Sequence, residues 1–153
     1  MRLRTKPAIN KRVKDELDGY GFIYAYVVVS AETLVTANMP CEPQWVQGVN
    51  KHKGSKDYAG QGKDVIQKGV HVFLSLEEDA KTMKAVFERN GVSAYPILEV
   101  TCHKEDLVAA GVFKCMADNN GRDLPVEFQS AVFKNIHIAK EQIDQALEEQ
   151  LCV

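Results

Sequence analysis

Apolar residues at Ile9, Val13 and Leu17 recur every four positions behind Pro7, with charged residues between them. That spacing predicts a short amphipathic helix that ends before Gly19 and Gly21. Phe22 to Val29 is β-branched and aromatic with no polar face, which predicts a central strand covered on both sides. Val70 to Leu74 predicts a second strand. Ser75-Leu-Glu-Glu78 then has the form of a capping box, in which the serine oxygen takes an orphan amide at a helix start. Leu76, Ala80, Met83 and Phe87 form one stripe of that helix, and Gly91 is placed to end it near Asn90.

Further along, Tyr95 to Cys102 reads as a strand and Lys104 to Ala110 as a short helical turn stopped by Gly111. Asp118-Asn-Asn-Gly-Arg-Asp123 reads as a hairpin tip, since Asn-Gly accepts the positive φ angles of tight turns. Val126 to Ile138 supplies one or two strands, and Glu141 to Leu151 closes the chain as a helix. Between Thr33 and Lys68 periodicity fades. The stretch Gly48 to Gly62 is rich in lysine and glycine, and residues 47–68 read as a long polar loop, either mobile or suited to an anion.

Strands and helices do not alternate regularly enough for a parallel βαβ series. The expected class is α+β, with a mixed, mostly antiparallel sheet or sheets and helices on the outer faces. At 153 residues the chain is expected to form one domain, 1–153, and 45% apolar with 26% charged residues is globular rather than disordered. No apolar stretch approaches the roughly 20 residues that span a bilayer, and the basic start leads into no signal-peptide segment, so the expected location is cytoplasmic, without membrane association. The four cysteines are then expected to be reduced. None has Cys-x-x-Cys spacing, and Cys102 and His103 would point to opposite faces of a strand, which argues against a metal site.

The formal charge is only −2, but its placement is uneven. Arg2, Arg4, Lys6, Lys11, Arg12 and Lys14 crowd the start, while Glu141, Asp144, Glu148 and Glu149 crowd the end. These are solvated helix faces, or surfaces for a protein partner at the basic N-terminal or acidic C-terminal helix. Nucleic acid is the less favoured partner, and contacts to phosphate would make its affinity fall steeply with salt.

Few residues suggest chemistry. His71 precedes the capped helix on a strand, and alternation puts it on one face with Phe73 and Ser75; it lines a pocket or is an ordinary strand histidine. Glu127 and Gln129 share a face at the start of the last strand region, where a carboxylate would orient a sugar hydroxyl or act as a general base, or simply face water. Tyr20, Tyr24 and Tyr26 lie on one face of the first strand region, to stack on a planar base or to fill the core.

Three stretches carry a family resemblance. His71-Val-Phe-Leu-Ser75 with the helix containing Ala80, then Tyr95-Pro-Ile-Leu-Glu-Val100, then Ala131-Val-Phe-Lys-Asn-Ile-His137 with Lys140-Glu-Gln-Ile143, resemble the RNA 2′-phosphotransferase group of the ADP-ribosyltransferase-like fold. The likeness spans about Lys68 to Ile143, with Phe73 where the group has a second histidine. It implies a nicotinamide dinucleotide (NAD) held in a cleft, with His71 and Glu127 as catalytic residues and Tyr26, Ser75 and Gln129 as ligand contacts. If such a protein is an enzyme, it is an NAD-dependent transferase. The same order of strands is also similar to small bacterial and phage domains, for which a non-enzymatic interaction role is the alternative.

Overall fold

A proline in the first turn and a left-handed glycine at the exit bracket the first helix, α1, Pro7–Tyr20. Gly21 has φ 79°, and its N–H bonds to the Leu17 carbonyl at 2.7 Å. The helix therefore runs through Gly19, and the second glycine supplies the cap. The computed structural model describes residues 3–29, 48–51, 65–66, 69–90, 95–119 and 122–151. The strands are β1 (Leu3–Thr5), β2 (Phe22–Val28), β3 (Gly48–Lys51), β4 (Val65–Ile66), β5 (Val70–Phe73), β6 (Ile97–His103), β7 (Leu107–Asn119), β8 (Arg122–Phe133) and β9 (Asn135–Ile138). After β5 a single π-helical turn, Leu76–Ala80, runs into α2 (Lys81–Asn90), and α3 (Lys140–Leu151) follows β9.

The nine strands form one sheet in the order β3-β9-β6-β2-β5-β8-β7-β1-β4. The described pairings are antiparallel, so the class is α+β with an antiparallel sheet. Alternation sorts the side chains. Ile23, Ala25 and Val27 of β2, Val70 and Val72 of β5, and Leu98, Val100 and Cys102 of β6 share a core with Val13 and Leu17 of α1 and Ile143 and Ala146 of α3. The opposite face packs Phe73 and Phe128, flanked by Tyr26, Val28 and Ile97, against Ala80 and Met83 of the π turn and α2. Helices thus cover both faces. Among the described helices none is long and apolar enough to cross a membrane.

Several expectations need correction. Lys104 to Ala110 is helical only over Lys104–Asp106; β7 begins at Leu107, and Gly111 is a strand residue rather than a helix cap. Its role is steric. A Cβ at Gly111 would lie 2.0 Å from the Arg4 carbonyl oxygen, so the backbone of β1 crosses where a side chain would stand. β1 itself was hidden in the basic start, which carries strand as well as helix. Of the polar stretch 47–68, residues Gly48–Lys51 and Val65–Ile66 are edge strands; the remainder lies outside the described residues, as does Gly91. The hairpin expected around Asn119 is present, with Asp118 opposite Asp123 and Asn119 opposite Arg122.

Where a short strand stops, its neighbour is left with an unpaired amide, which is costly to bury. Side chains from the helices fill three of these places. Asn10 of α1 accepts from the Ala110 N–H at 3.0 Å, Gln142 of α3 from Glu99 at 3.0 Å, and Asp79 of the π turn from Gln129 at 3.1 Å. Each helix is thereby fastened to the sheet by a polar contact as well as by its apolar stripe.

Candidate functional site

β2 and β5 are hydrogen-bonded neighbours but share one register pair, Tyr26 with Phe73. Beyond it the two strands part. Leu74 continues along β8, its N–H bonding to the Gln129 carbonyl at 3.2 Å, and the chain then turns at Ser75 into the π turn. The gap is a cleft of about 310 Å³ between α1, the start of β2 and the π turn. Its floor is apolar, with Val13, Ile23 and Leu74, and its walls are polar, with Arg12, Glu16, Ser75, Glu78 and Gln129. Tyr24 stands at the rim with its side chain well exposed.

Local sequence explains this geometry. Ser75 is the N-cap, its Oγ accepting from the Glu78 N–H at 3.2 Å, which is the contact that the capping-box pattern predicts. The first turn is π rather than α, with the Ala80 N–H reaching back to the Ser75 carbonyl at 3.0 Å. Asp79 and Ala80 face the sheet, and Asp79 is only 5% exposed. Its carboxylate seals the Gln129 amide that β5 leaves behind. On the other side of β8 residue Gln129, the side-chain Oε1 accepts from the Arg12 guanidinium, so Gln129 links α1, β8 and the π turn.

Burial pushes the Asp79 carboxyl above the usual carboxylate range; the Gln129 and Ser75 amides and Arg12 oppose this, and Glu78 adds to it. The folded state therefore keeps this proton to a higher pH than the unfolded chain. Its stability contribution falls as pH rises from the ordinary carboxylate pKa to the raised one, and is level above that. Asp79→Asn keeps the acceptor for Gln129 but removes the titration. Relative to wild type, the variant should gain stability with rising pH across that interval and hold the gain at neutral pH. Urea midpoints measured from pH 3.5 to 7 test this, and two parallel curves would show that the carboxyl is not held above its ordinary value.

The sequence-nominated residues divide. Ser75 and Gln129 line the cleft together. Tyr26 lies on the α2 face, half-buried opposite Glu99, and its hydroxyl is pushed above the ordinary tyrosine value by burial and then by the Glu99 carboxylate, to which it bonds. His71 is half-buried on β5 opposite Val132, with its Nδ1 buried, and does not line the cleft. Glu127 is exposed on the β7–β8 hairpin, 3.6 Å from Lys114. Phe73 is a core ring, edge-on to Phe128 at 5.7 Å. Cys102 is buried and His103 exposed, as strand alternation requires, and burial pushes the Cys102 thiol well up, which leaves it unreactive as folded.

Sequence reasoning placed Arg12 only in the basic run at the start and passed over Glu16 and Asp79. A carboxylate three residues after Leu76 and beside Ala80, inside the apolar stripe, was the available signal for Asp79. The three tyrosines do not share one strand face: Tyr20 ends α1 and is 79% exposed, Tyr24 is 57% exposed, and Tyr26 packs against the core on the α2 face; the Phe22 and Tyr24 rings meet edge-to-face at 5.4 Å. The charged termini do not meet in the described contacts. Arg12 turns to Gln129, and Glu149 pairs with Lys84 of α2 at 3.3 Å.

A nicotinamide dinucleotide brings two phosphates, whereas the described residues of this lining set one guanidinium against the carboxylates of Glu16 and Glu78 and include no glycine or lysine. That balance of charge does not match a pyrophosphate. No family model, curated protein or solved structure matches this chain.

Proposed function

We propose that this protein binds the nucleoside portion of a nucleotide-derived small molecule in the cleft between α1, β2 and the π turn, and performs no group transfer on it. The observation that carries this is the parting of β2 and β5 after a single pair, which opens a cleft with an aromatic ring at its rim and mixed donors and acceptors on its walls. Its volume lies at the small end of ordinary ligand sites. Tyr24 offers a face for a planar base, Gln129 offers both a donor and an acceptor, and the carboxylates of Glu16 and Glu78 accept from sugar hydroxyls. Transfer chemistry draws no support from this arrangement, because His71 and Glu127 lie outside the lining.

Titration calorimetry with adenosine, guanosine, cytidine, uridine and NAD tests the reading. At least one nucleoside should bind. Tyr24→Ala should weaken that binding about tenfold, in keeping with a stacking contribution of roughly 1–3 kcal/mol per base. Nicotinamide should not be released from NAD. Absence of heat from every nucleoside at millimolar concentration would overturn the proposal.

A second reading, a protein-interaction module, is favoured by Tyr20 and Phe22, which are exposed without lining the cleft, Phe22 edge-to-face with Tyr24. Exposed aromatic clusters are common anchors for protein partners. Tyr20→Ala separates the two, since it leaves nucleoside binding intact and weakens only a partner complex.

A further inference from the structure

We infer that the cleft selects a ligand without phosphate, discriminating a free nucleoside from its 5′-phosphates; this rests on the proposed nucleoside site. The first ground is charge. Among the described lining residues Arg12 is the one cation, and Glu16 from α1 and Glu78 from the π turn oppose it, with Asp79 behind Gln129. A dianionic phosphate entering there meets net repulsion. A ribose diol meets acceptors instead, and its hydroxyls donate where a phosphate at neutral pH has nothing to donate.

The second ground is the state of the donors. A phosphate at the start of a helix is ordinarily held by backbone amides that have no partner. Here the Glu78 amide is taken by the Ser75 hydroxyl oxygen, and the Gln129 amide by Asp79. The Arg12 guanidinium donates to the Gln129 side chain. The two backbone amides are thus satisfied within the protein, and a phosphate would have to break these contacts to use them; Arg12, with one of its five N–H groups held by Gln129, is partly engaged. The side-chain Nε2 of Gln129 and the hydroxyl proton of Ser75 are suited to a neutral ligand's carbonyl or ring nitrogen.

The test uses the full chain and titrates each of the four nucleosides with its 5′-monophosphate and 5′-diphosphate. At low salt, affinity should fall about fourfold with each added phosphate charge, the size expected for one net charge near 5 Å in a water-like medium. The step should shrink at 500 mM salt through screening. In the double variant Glu16→Gln, Glu78→Gln, which keeps Ser75 and its capped amide, nucleoside affinity should itself weaken as the sugar acceptors lose their charge, while the preference for the nucleoside over its monophosphate should largely vanish. A monophosphate that binds wild type as tightly as its nucleoside, or tighter, overturns the selectivity while leaving the nucleoside site standing. Absence of binding by any nucleoside or nucleotide overturns the site itself.

Discussion

Gly111→Ala should cost about 3 kcal/mol or more, a large share of the roughly 5–15 kcal/mol that holds a domain together. The added Cβ would lie 2.0 Å from the Arg4 oxygen, 2.8 Å from the Arg4 carbonyl carbon and 2.8 Å from the Lys6 nitrogen. All three are backbone atoms, so no flexible side chain can swing aside. Either β7 bends or β1 lifts from it. Lifting β1 would also expose Leu3, which packs with Ala109 and Val132, and would stretch the bond from the Lys6 N–H to the Ala110 carbonyl. Gly19→Ala is the control: its Cβ meets nothing within 4 Å and the site is helical, so a gain of about 0.5–1 kcal/mol is expected. Urea unfolding of both variants, with hydrogen exchange over residues 3–6, tests the contrast. Equal stabilities for wild type and Gly111→Ala would mean that β1 and β7 are not in contact as described.

That glycine marks where the sequence stops being legible. Patterns of local origin carried over: the i, i+4 spacing of Ile9, Val13 and Leu17, the Ser75 cap, the hairpin around Asn119 and the alternation of Cys102 and His103 all reappear. Each depends on residues within a turn or two of one another. Gly111 after Lys104 to Ala110 looked like a helix stop because glycine serves both as a C-cap and as a place for close backbone approach, and the choice depends on Arg4, about a hundred positions away. The cleft failed to show for the same reason. Ser75 and Gln129 were legible as polar residues at strand ends, but their meeting follows from the departure of β5 from β2. Arg12 read as one member of a basic run, and only the packing of α1 over β8 brings it to Gln129. His71 was nominated from its place on a strand before the capped helix and Glu127 from a face shared with Gln129, and the resemblance added catalytic roles to both. Here His71 sits in the middle of a paired strand and Glu127 far along a hairpin.

The second large effect is expected at Phe128, which is 1% exposed and joins the α2 face into one packed unit. Its ring meets Phe73 edge-on at 5.7 Å and stacks with Phe113 at 6.1 Å, in the cluster that holds Ala80 and Met83. Truncation to alanine removes the ring and leaves a void beneath the π turn, a change that typically costs 3–5 kcal/mol. Phe128→Leu keeps most of the volume and should cost about 1.5 kcal/mol. The loss bears on the site as well as the fold. Ala80 is seated in this cluster, and it adjoins Asp79, whose carboxylate seals the Gln129 amide one residue from Phe128. Loosening that seat frees the π turn and with it Ser75, so nucleoside affinity should drop in Phe128→Ala even at temperatures where the chain remains folded, and hold in Phe128→Leu. Thermal melts give the stability difference, and calorimetry at 10 °C gives the binding. A loss below 1 kcal/mol for the alanine variant would mean that the π turn is held by its polar contacts to β8 alone, with the aromatic cluster contributing little.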